Sequence, residues 1–304
     1  MVAKPDVLLV VGASGTEEYG RLFKEWGADW RRAAEQAEGN FLQVGFAAPA
    51  EGETIKESFR GMLVEQPKQG PEPLWLVLIG HGTFDGRTAK FNLVGPDLSA
   101  AELGAWLKDF ERPLVALFCF SSSAPFLKAV TGKGRVVVTA TRSGFERNFC
   151  RFGGYLAETL TGSAADLDKD GQTSLLETWL AASRHTTAFY ADENRLASEH
   201  SLLDDNGDAR GVQADWYKGL SLTKNSPEGD LLPDGLRAHQ IHLVPRESDR
   251  ALTPEQLLRR DALELDLARL RARKADLKED DYFRRLEALL LEIGALYFPE
   301  TASP

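Results

Sequence analysis

The sequence predicts an α/β fold, a three-layer sandwich whose central sheet is mostly parallel, followed by a C-terminal helical hairpin. Three observations predict it. Apolar runs bounded by turn residues recur at DVLLVV (Asp6–Val11), LWLVLI (Leu74–Ile79), LVALF (Leu114–Phe118) and RVVVT (Arg135–Thr139), the pattern of strands buried on both faces. Helical periodicity fills the intervals between them, so each strand-to-strand connection is a right-handed crossover. From Thr253 onward the strand signals stop and charged, leucine-bearing helical repeats take over.

Taken in order, Asp6–Val11 is the first strand and Gly12–Gly15 a strand-to-helix turn that lacks the full glycine fingerprint of a dinucleotide site. Tyr19, Phe23, Trp26 and Trp30 recur at helical spacing, which predicts an amphipathic helix over 16–37 with an aromatic core stripe. A second strand is expected over 41–46 and a second helix over 53–63. Strand Leu74–Ile79 leads to His81. Ser99 with Glu102 three residues on makes a capping box for the helix SAAELGAWLKDF. Strand Leu114–Phe118, a helix from about Pro125 and strand Arg135–Thr139 follow, then helices over 148–160 and 175–190. The stretch 191–236 is polar and turn-rich, and the alternation AHQIHLV over 238–244 predicts an edge strand. Thr253, Pro254 and Gln256 open the hairpin's first helix as N-cap, N1 and N3. Its second helix is expected to bury Leu286, Leu290, Ile293 and Tyr297. The expected organisation is thus an α/β domain over 1–225, a connecting segment over 226–248 and the hairpin over 249–304, which could serve self-association.

Composition excludes several function classes. At 43% apolar and 27% charged residues the chain has globular character, and a net charge of −10 argues against a nucleic-acid partner. No run approaches the ~18 apolar residues of a membrane helix, so no membrane partner is expected. Met1 is followed by VAKPD rather than an apolar leader, which reads as cytoplasmic as the sequence stands, or as exported if a signal peptide has been removed. Cys119 and Cys150 cannot build a disulfide framework.

Two motifs carry potential chemistry. Strand Leu74–Ile79 ends in Ile79-Gly80-His81-Gly82, and strand Leu114–Phe118 runs into Cys119-Phe120-Ser121-Ser122-Ser123-Ala124. Residues at the carboxyl ends of parallel strands point into the crevice where open α/β sheets bind ligands. A base on one strand end beside a nucleophile on the next is the layout that covalent catalysis requires. On these residues the chain resembles the caspase-like cysteine peptidases, in their legumain-like and metacaspase-like branch, over roughly 5–190. The resemblance implies a caspase-like three-layer sandwich and peptide or protein ligands. It also implies His81 as general base, with Gly82 contributing an oxyanion N–H. The nucleophile register departs from the family pattern: two residues past the strand stands Ser121, solvent-open in this reading, while Cys119 falls two positions early. Three states stay open: a catalytically silent domain acting by binding or scaffolding, a cysteine endopeptidase using Cys119, and a serine nucleophile at Ser121. By the same resemblance the loop carrying Arg142 and Ser143 lines the substrate pocket, where Arg142 would favour acidic side chains. A structural ion pair is the other reading of Arg142.

The sharpest local motif is DLDKDGQTSLLE, Asp166 to Glu177, which fits the twelve-residue EF-hand loop. Asp166, Asp168 and Asp170 take positions 1, 3 and 5, and Gly171 permits the turn at 6. Gln172 offers its carbonyl at 7, Ser174 stands at 9 and Glu177 at 12. Carboxylates packed this closely repel one another unless a hard cation neutralises them, so Ca²⁺ is the expected cofactor. Asp204-Asp-Asn-Gly-Asp208 invites the same register but puts Ala209 at position 6 and Asp215 at 12, and it reads as a polar turn.

Overall fold

The computed structural model describes residues 4–160, 162–224 and 231–298. Its main sheet grows from the predicted apolar runs: β1 (Asp6–Val11), β2 (Asn40–Val44), β3 (Leu74–Ile79), β7 (Leu114–Cys119) and β8 (Arg135–Thr139) are mutually parallel. Between β3 and β7 lies a small antiparallel sheet of β4 (Gly82–Phe84), β5 (Ala89–Phe91) and β6 (Leu98–Ser99). Short strands β9 (Leu202–Asp204) and β10 (Val212–Gln213) add antiparallel to the free edge of β8, giving the order β10-β9-β8-β7-β3-β1-β2. A hairpin of β11 (Tyr217–Lys218) and β12 (Ser221–Leu222) follows. β1 lies between β2 and β3, so the direction of strand addition reverses there, and the carboxyl ends of β1 and β3 form the sheet's switch point, the position at which open α/β sheets bind ligands.

Alternation on the strands builds two cores. Val7, Leu9, Trp75, Val77, Val115, Leu117 and Cys119 face a layer that includes Phe23, Trp26 and Trp30 of α1 (Glu17–Gln36). The same layer holds Leu156 of α5 (Phe152–Thr159) and Trp179 of α6 (Leu175–Asp192). Leu8, Val10, Leu76, Leu78, Ala116 and Phe118 face the opposite layer, with Phe59 of α2 (Ile55–Glu65), Leu103 of α3 (Ala100–Leu107) and Phe126 of α4 (Ala124–Val130). The three-layer α/β sandwich read from the sequence is therefore the observed architecture. The capping boxes at Thr54/Glu57 and Ser99/Glu102 form as hydrogen-bonded pairs.

Three local expectations fail: the stretch between His81 and Ser99, which reads as a polar loop, the turn-rich 191–236, and the edge strand over 238–244. The stretch 82–99 forms β4–β6, and 191–236 supplies the last strands of both remaining ladders. These strands are two or three residues long, too short to show a period. The alternation at 238–244 does not make an edge strand. Gly235 adopts φ 99°, a left-handed conformation suited to glycine, and starts the short helix α7 (Leu236–Gln240). In this α/β unit the compact region runs to Val244, beyond the expected boundary at 225; residues 226–230 lie outside the described set.

A second compact unit begins at Pro245. It contains α8 (Glu247–Arg250), α9 (Pro254–Ala272) and α10 (Glu279–Tyr297), with Arg260 of α9 ion-paired to the buried Asp249. The Thr253/Gln256 capping box forms. Of the four residues expected to be buried on the second helix, Leu290 is 48% exposed and Leu286, Ile293 and Tyr297 are only partly covered; Tyr282 is buried instead. Leu270, Leu277 and Leu289 floor a cavity of about 380 Å³ between the helices, rimmed by Arg269, Arg273 and Arg285. Among the described residues no helix is long and apolar enough to cross a membrane.

Candidate functional site

His81 follows β3 at the switch point, but its surroundings are aromatic and its partner is not a nucleophile. The ring packs edge-on to Tyr19 at 4.9 Å and lies 5.5 Å from Phe23 and 5.7 Å from Phe149. Its Nε2 sits 3.2 Å from the carbonyl oxygen of Ser14, in the turn after β1. A carbonyl can only accept, so Nε2 carries the proton in this arrangement. Burial holds the His81 pKa below the ordinary histidine value, with the Ser14 carbonyl partly offsetting it. A neutral histidine with Nε2–H directed at Ser14 has no lone pair on that nitrogen to offer a nucleophile.

Cys119 is the last residue of β7 and is wholly buried in the layer of α1 and α5. A side chain at Gly153 of α5 would put its Cβ 2.6 Å from the Cys119 Cβ, so helix and strand meet there with no room between. Burial pushes the Cys119 thiol far above its ordinary value, and the charge of Glu199 adds to that. Burial raises Cys150 likewise. Both cysteines are free thiols.

Ser121 is 2% exposed, not solvent-open as expected. The reason is a reciprocal clasp: the Gly82 N–H donates to Ser121 Oγ at 3.1 Å, and Ser121 Oγ–H donates to the Gly82 carbonyl at 3.1 Å. The clasp consumes the N–H proposed for an oxyanion. Gly82 is fitted to the role by its lack of a side chain, since a Cβ there would lie 2.2 Å from the Ser121 carbonyl oxygen. Ser123 Oγ pairs with Thr141 Oγ1 at 3.1 Å. Ser122 sits in the left-handed region at φ 59°, wholly buried, and its Oγ has no hydrogen-bond partner.

The segment 142–151 lies across this turn. The Ser122 N–H donates to the Glu146 carbonyl at 2.8 Å, and Phe149 stacks on Tyr19 at 4.4 Å. The Glu146 carboxylate accepts from Arg142 N at 2.9 Å and from His200 N at 3.3 Å, and it lies 2.5 Å from His200 Nδ1. Arg142, half exposed, completes the cluster through Nε at 3.4 Å from Glu146 and Nη1 at 3.4 Å from Gln213. It is thus held as an ion pair of the loop. Ser143 turns the chain, its Oγ accepting from Phe145 N at 3.2 Å. At the end of the segment the buried Glu199 carboxylate accepts from Arg151 N and Phe152 N, capping α5, and from the Tyr190 hydroxyl. Burial raises its pKa. Glu146, Phe149, Glu199 and His200 escape the sequence reading because the contacts that bring them together, His200 to Glu146, Glu199 to Arg151 and Phe149 to Tyr19, span tens of positions. No spacing rule connects them.

The loop Asp166–Glu177, expected to be of EF-hand type, is closed by its own acids. Asp166 accepts from Asp170 N at 3.1 Å and Gly171 N at 3.1 Å, and Asp170 accepts from Gln172 N at 3.1 Å. Glu177 reaches back so that Oε1 accepts from Leu167 N at 2.7 Å while Oε2 caps α6 through Ser174 N and Oγ. Carboxylate oxygens of Asp166, Asp168 and Glu177 come within 4.8 Å of one another. Asp168 is also held by His239 Nε2 at 2.9 Å.

Compared with solved structures, the chain is similar to the Drosophila initiator caspase Dronc, with a TM-score of 0.45 and 13% identity over 69% of this chain and 83% of that one. No family model matches the sequence, and no curated protein does.

Proposed function

We propose that this chain is a caspase-like protein of the legumain and metacaspase type that binds a peptide or protein segment without hydrolysing it. The single observation carrying the reading is the divorce of base and nucleophile. His81 is hydrogen-bonded to the Ser14 carbonyl, Ser121 is clasped to Gly82, and Cys119 has no surface. Thiolate attack needs an accessible sulfur with a depressed pKa, and the Cys119 thiol is displaced in the opposite direction. Ser121 has no acid-oriented base to take its proton.

A second reading is a latent cysteine endopeptidase, favoured by the way the 142–151 segment overlies the strand ends through the ring stack of Phe149 on Tyr19 and the backbone hydrogen bond from Ser122 N–H to the Glu146 carbonyl, which a partner could displace. Labelling with an active-site-directed electrophile, mapped by mass spectrometry, separates the two. The silent reading expects neither Cys119 nor Cys150 to react in the native protein, both to react in denaturant, and His81→Ala to match the parent on a peptide library. Selective native labelling of Cys119, with turnover lost in His81→Ala, overturns it.

The loop from Asp166 to Glu177 is proposed to hold one Ca²⁺. Its residues fit a hard cation: all donors are oxygens, and Gly171 has φ 91° at the turn. Three carboxylates converge there. Asp166, Asp168, Asp170 and Glu177 would supply carboxylate ligands, Gln172 its carbonyl and Ser174 a water-mediated contact. The ion's role is to tie the start of α6 to the preceding loop, away from any chemistry.

A further inference from the structure

We propose that the cavity between α9 and α10 binds a single-chain amphiphile with an anionic head, such as a medium-chain carboxylate. The cavity, about 380 Å³, lies wholly within the second unit and is built by one face of each helix. Asp266, Arg269, Leu270 and Arg273 follow at the three- and four-residue steps that bring side chains on to one face of α9. Arg285, Ala288 and Leu289 do the same on α10, and Leu277 of the connection joins them. The lining thus offers four apolar side chains among three arginines. Its volume is at the small end of ligand pockets, ~300–1,000 Å³, which suits one alkyl chain rather than a two-tailed lipid.

Charge selects the head group. Arg269 is matched by Asp266 at 2.8 Å, but Arg273 and Arg285 pair with no carboxylate among the described residues. The carboxyl end of α9 accounts for Arg269 and Arg273, since cations are favoured there. It does not account for Arg285, which follows the acidic first turn of α10. In a chain of net charge −10 the lining is therefore locally positive. Guanidinium groups set round one cavity repel one another. A carboxylate accepting from Arg273 and Arg285 relieves that repulsion, while its tail covers the leucines. A neutral guest would leave the cations facing hydrocarbon, and a cation would add to the repulsion.

Calorimetry on the full chain with laurate, kept below its aggregation concentration, tests the proposal. One laurate per chain is expected, with a raised melting temperature. Dodecanol, which lacks the charge, and butyrate, which lacks the tail, should each bind at least about tenfold more weakly. Arg273→Gln/Arg285→Gln should weaken laurate by about tenfold and leave dodecanol unchanged. Ala288→Phe fills the cavity from an exposed position and should weaken both ligands with unchanged circular dichroism. The arginine variant decides by itself if Ala288→Phe fails to fold. Vesicles containing phosphatidylglycerol present the other source of an anionic acyl group. Co-sedimentation with them that survives Ala288→Phe would show that a membrane surface is read instead of a cavity, which overturns the proposal. So do several laurates per chain, equal affinities for laurate and dodecanol, or no saturable heat.

Discussion

Two acidic loops in the α/β unit share one backbone and end differently. In the first, Asp166 accepts from the N–H five residues on, Asp168 from Asp170 N, and Asp170 from Gln172 N. In the second, Asp204 accepts from Ala209 N, Asn206 from Asp208 N, and Asp208 from Arg210 N. Both turn through a left-handed sixth position, Gly171 at φ 91° and Ala209 at φ 63°. The twelfth position separates them. Glu177 folds back to within reach of Asp166 and Asp168, whereas Asp215 stays at the surface beside Lys224. The second loop is closed by protein groups instead, one donor and one acceptor. Thr131 Oγ1 donates to Asp204 at 2.7 Å, and Asp234 accepts from the N–H groups of Asp205 and Asn206. An acidic turn therefore becomes a candidate cation site only when a last carboxylate converges on the others, and otherwise its acids serve as turn and cap acceptors.

The largest expected effect follows from that difference. Ca²⁺ should stabilise the protein through the first loop alone, by about 4 kcal/mol when free Ca²⁺ is a thousandfold above its dissociation constant. Calorimetry should give one ion per chain. Glu177→Gln should abolish the response while keeping the α6 cap, because glutamine also serves at N3. Asp204→Asn should leave the response intact. A second equivalent of Ca²⁺ lost on Asp204→Asn would break the distinction.

The second loop should show itself by acid–base behaviour. Asp205 and Asp234 are buried, and burial raises both pKa values above the ordinary 3.8, with mutual repulsion and Asp204 adding to the effect and Arg237 opposing it at Asp205. Carboxyls raised in the folded state stabilise it fully below their unfolded value, and that contribution is lost as pH rises through the folded values. Urea midpoints should fall from mildly acidic to mildly alkaline pH, and Asp234→Asn should flatten the slope. Asp234→Ala should cost about 2–3 kcal/mol, since the N–H groups of Asp205 and Asn206 lose their acceptor.

What the sequence revealed follows the same divide between local and distant partners. The convergence of acids over Asp166–Glu177 was legible because they lie close in sequence and the last of them caps the next helix. β1, β3, β7 and β8 could be read because both faces of each are buried, leaving unbroken apolar runs. Asp234 closes a loop from 29 positions away, and Glu146 meets His200 across 54. Neither leaves a spacing to recognise. The crevice was half legible: His81 and the Ser121 turn are strand-end neighbours, but the reciprocal Ser121–Gly82 clasp depends on a glycine whose missing side chain lets two strand ends touch.

A smaller effect tests how the second loop balances its charge. Thr131→Val keeps shape but removes the only side-chain hydroxyl donating to the buried Asp204 carboxylate among the described residues. A loss of about 1–2 kcal/mol is expected, read as a shift in urea midpoint with an unchanged slope. No change would show that the backbone N–H groups of Gly207 and Ala209 suffice for Asp204.

The smallest effect concerns the shared sixth position. Ala209 holds φ 63°, a conformation that costs an L-residue about 1–2 kcal/mol and glycine nothing comparable. Glycine in turn loses about 0.5–1 kcal/mol more in chain entropy, and the alanine methyl is partly buried against the α2–α4 layer. These terms nearly cancel, so Ala209→Gly should stabilise by no more than about 0.5 kcal/mol. The variant gives the second loop the glycine of an EF-hand without supplying a twelfth-position carboxylate. Calorimetry on it should therefore still report one Ca²⁺ per chain. Two ions would mean that turn geometry, rather than the converging carboxylate, decides which acidic loop binds the cation.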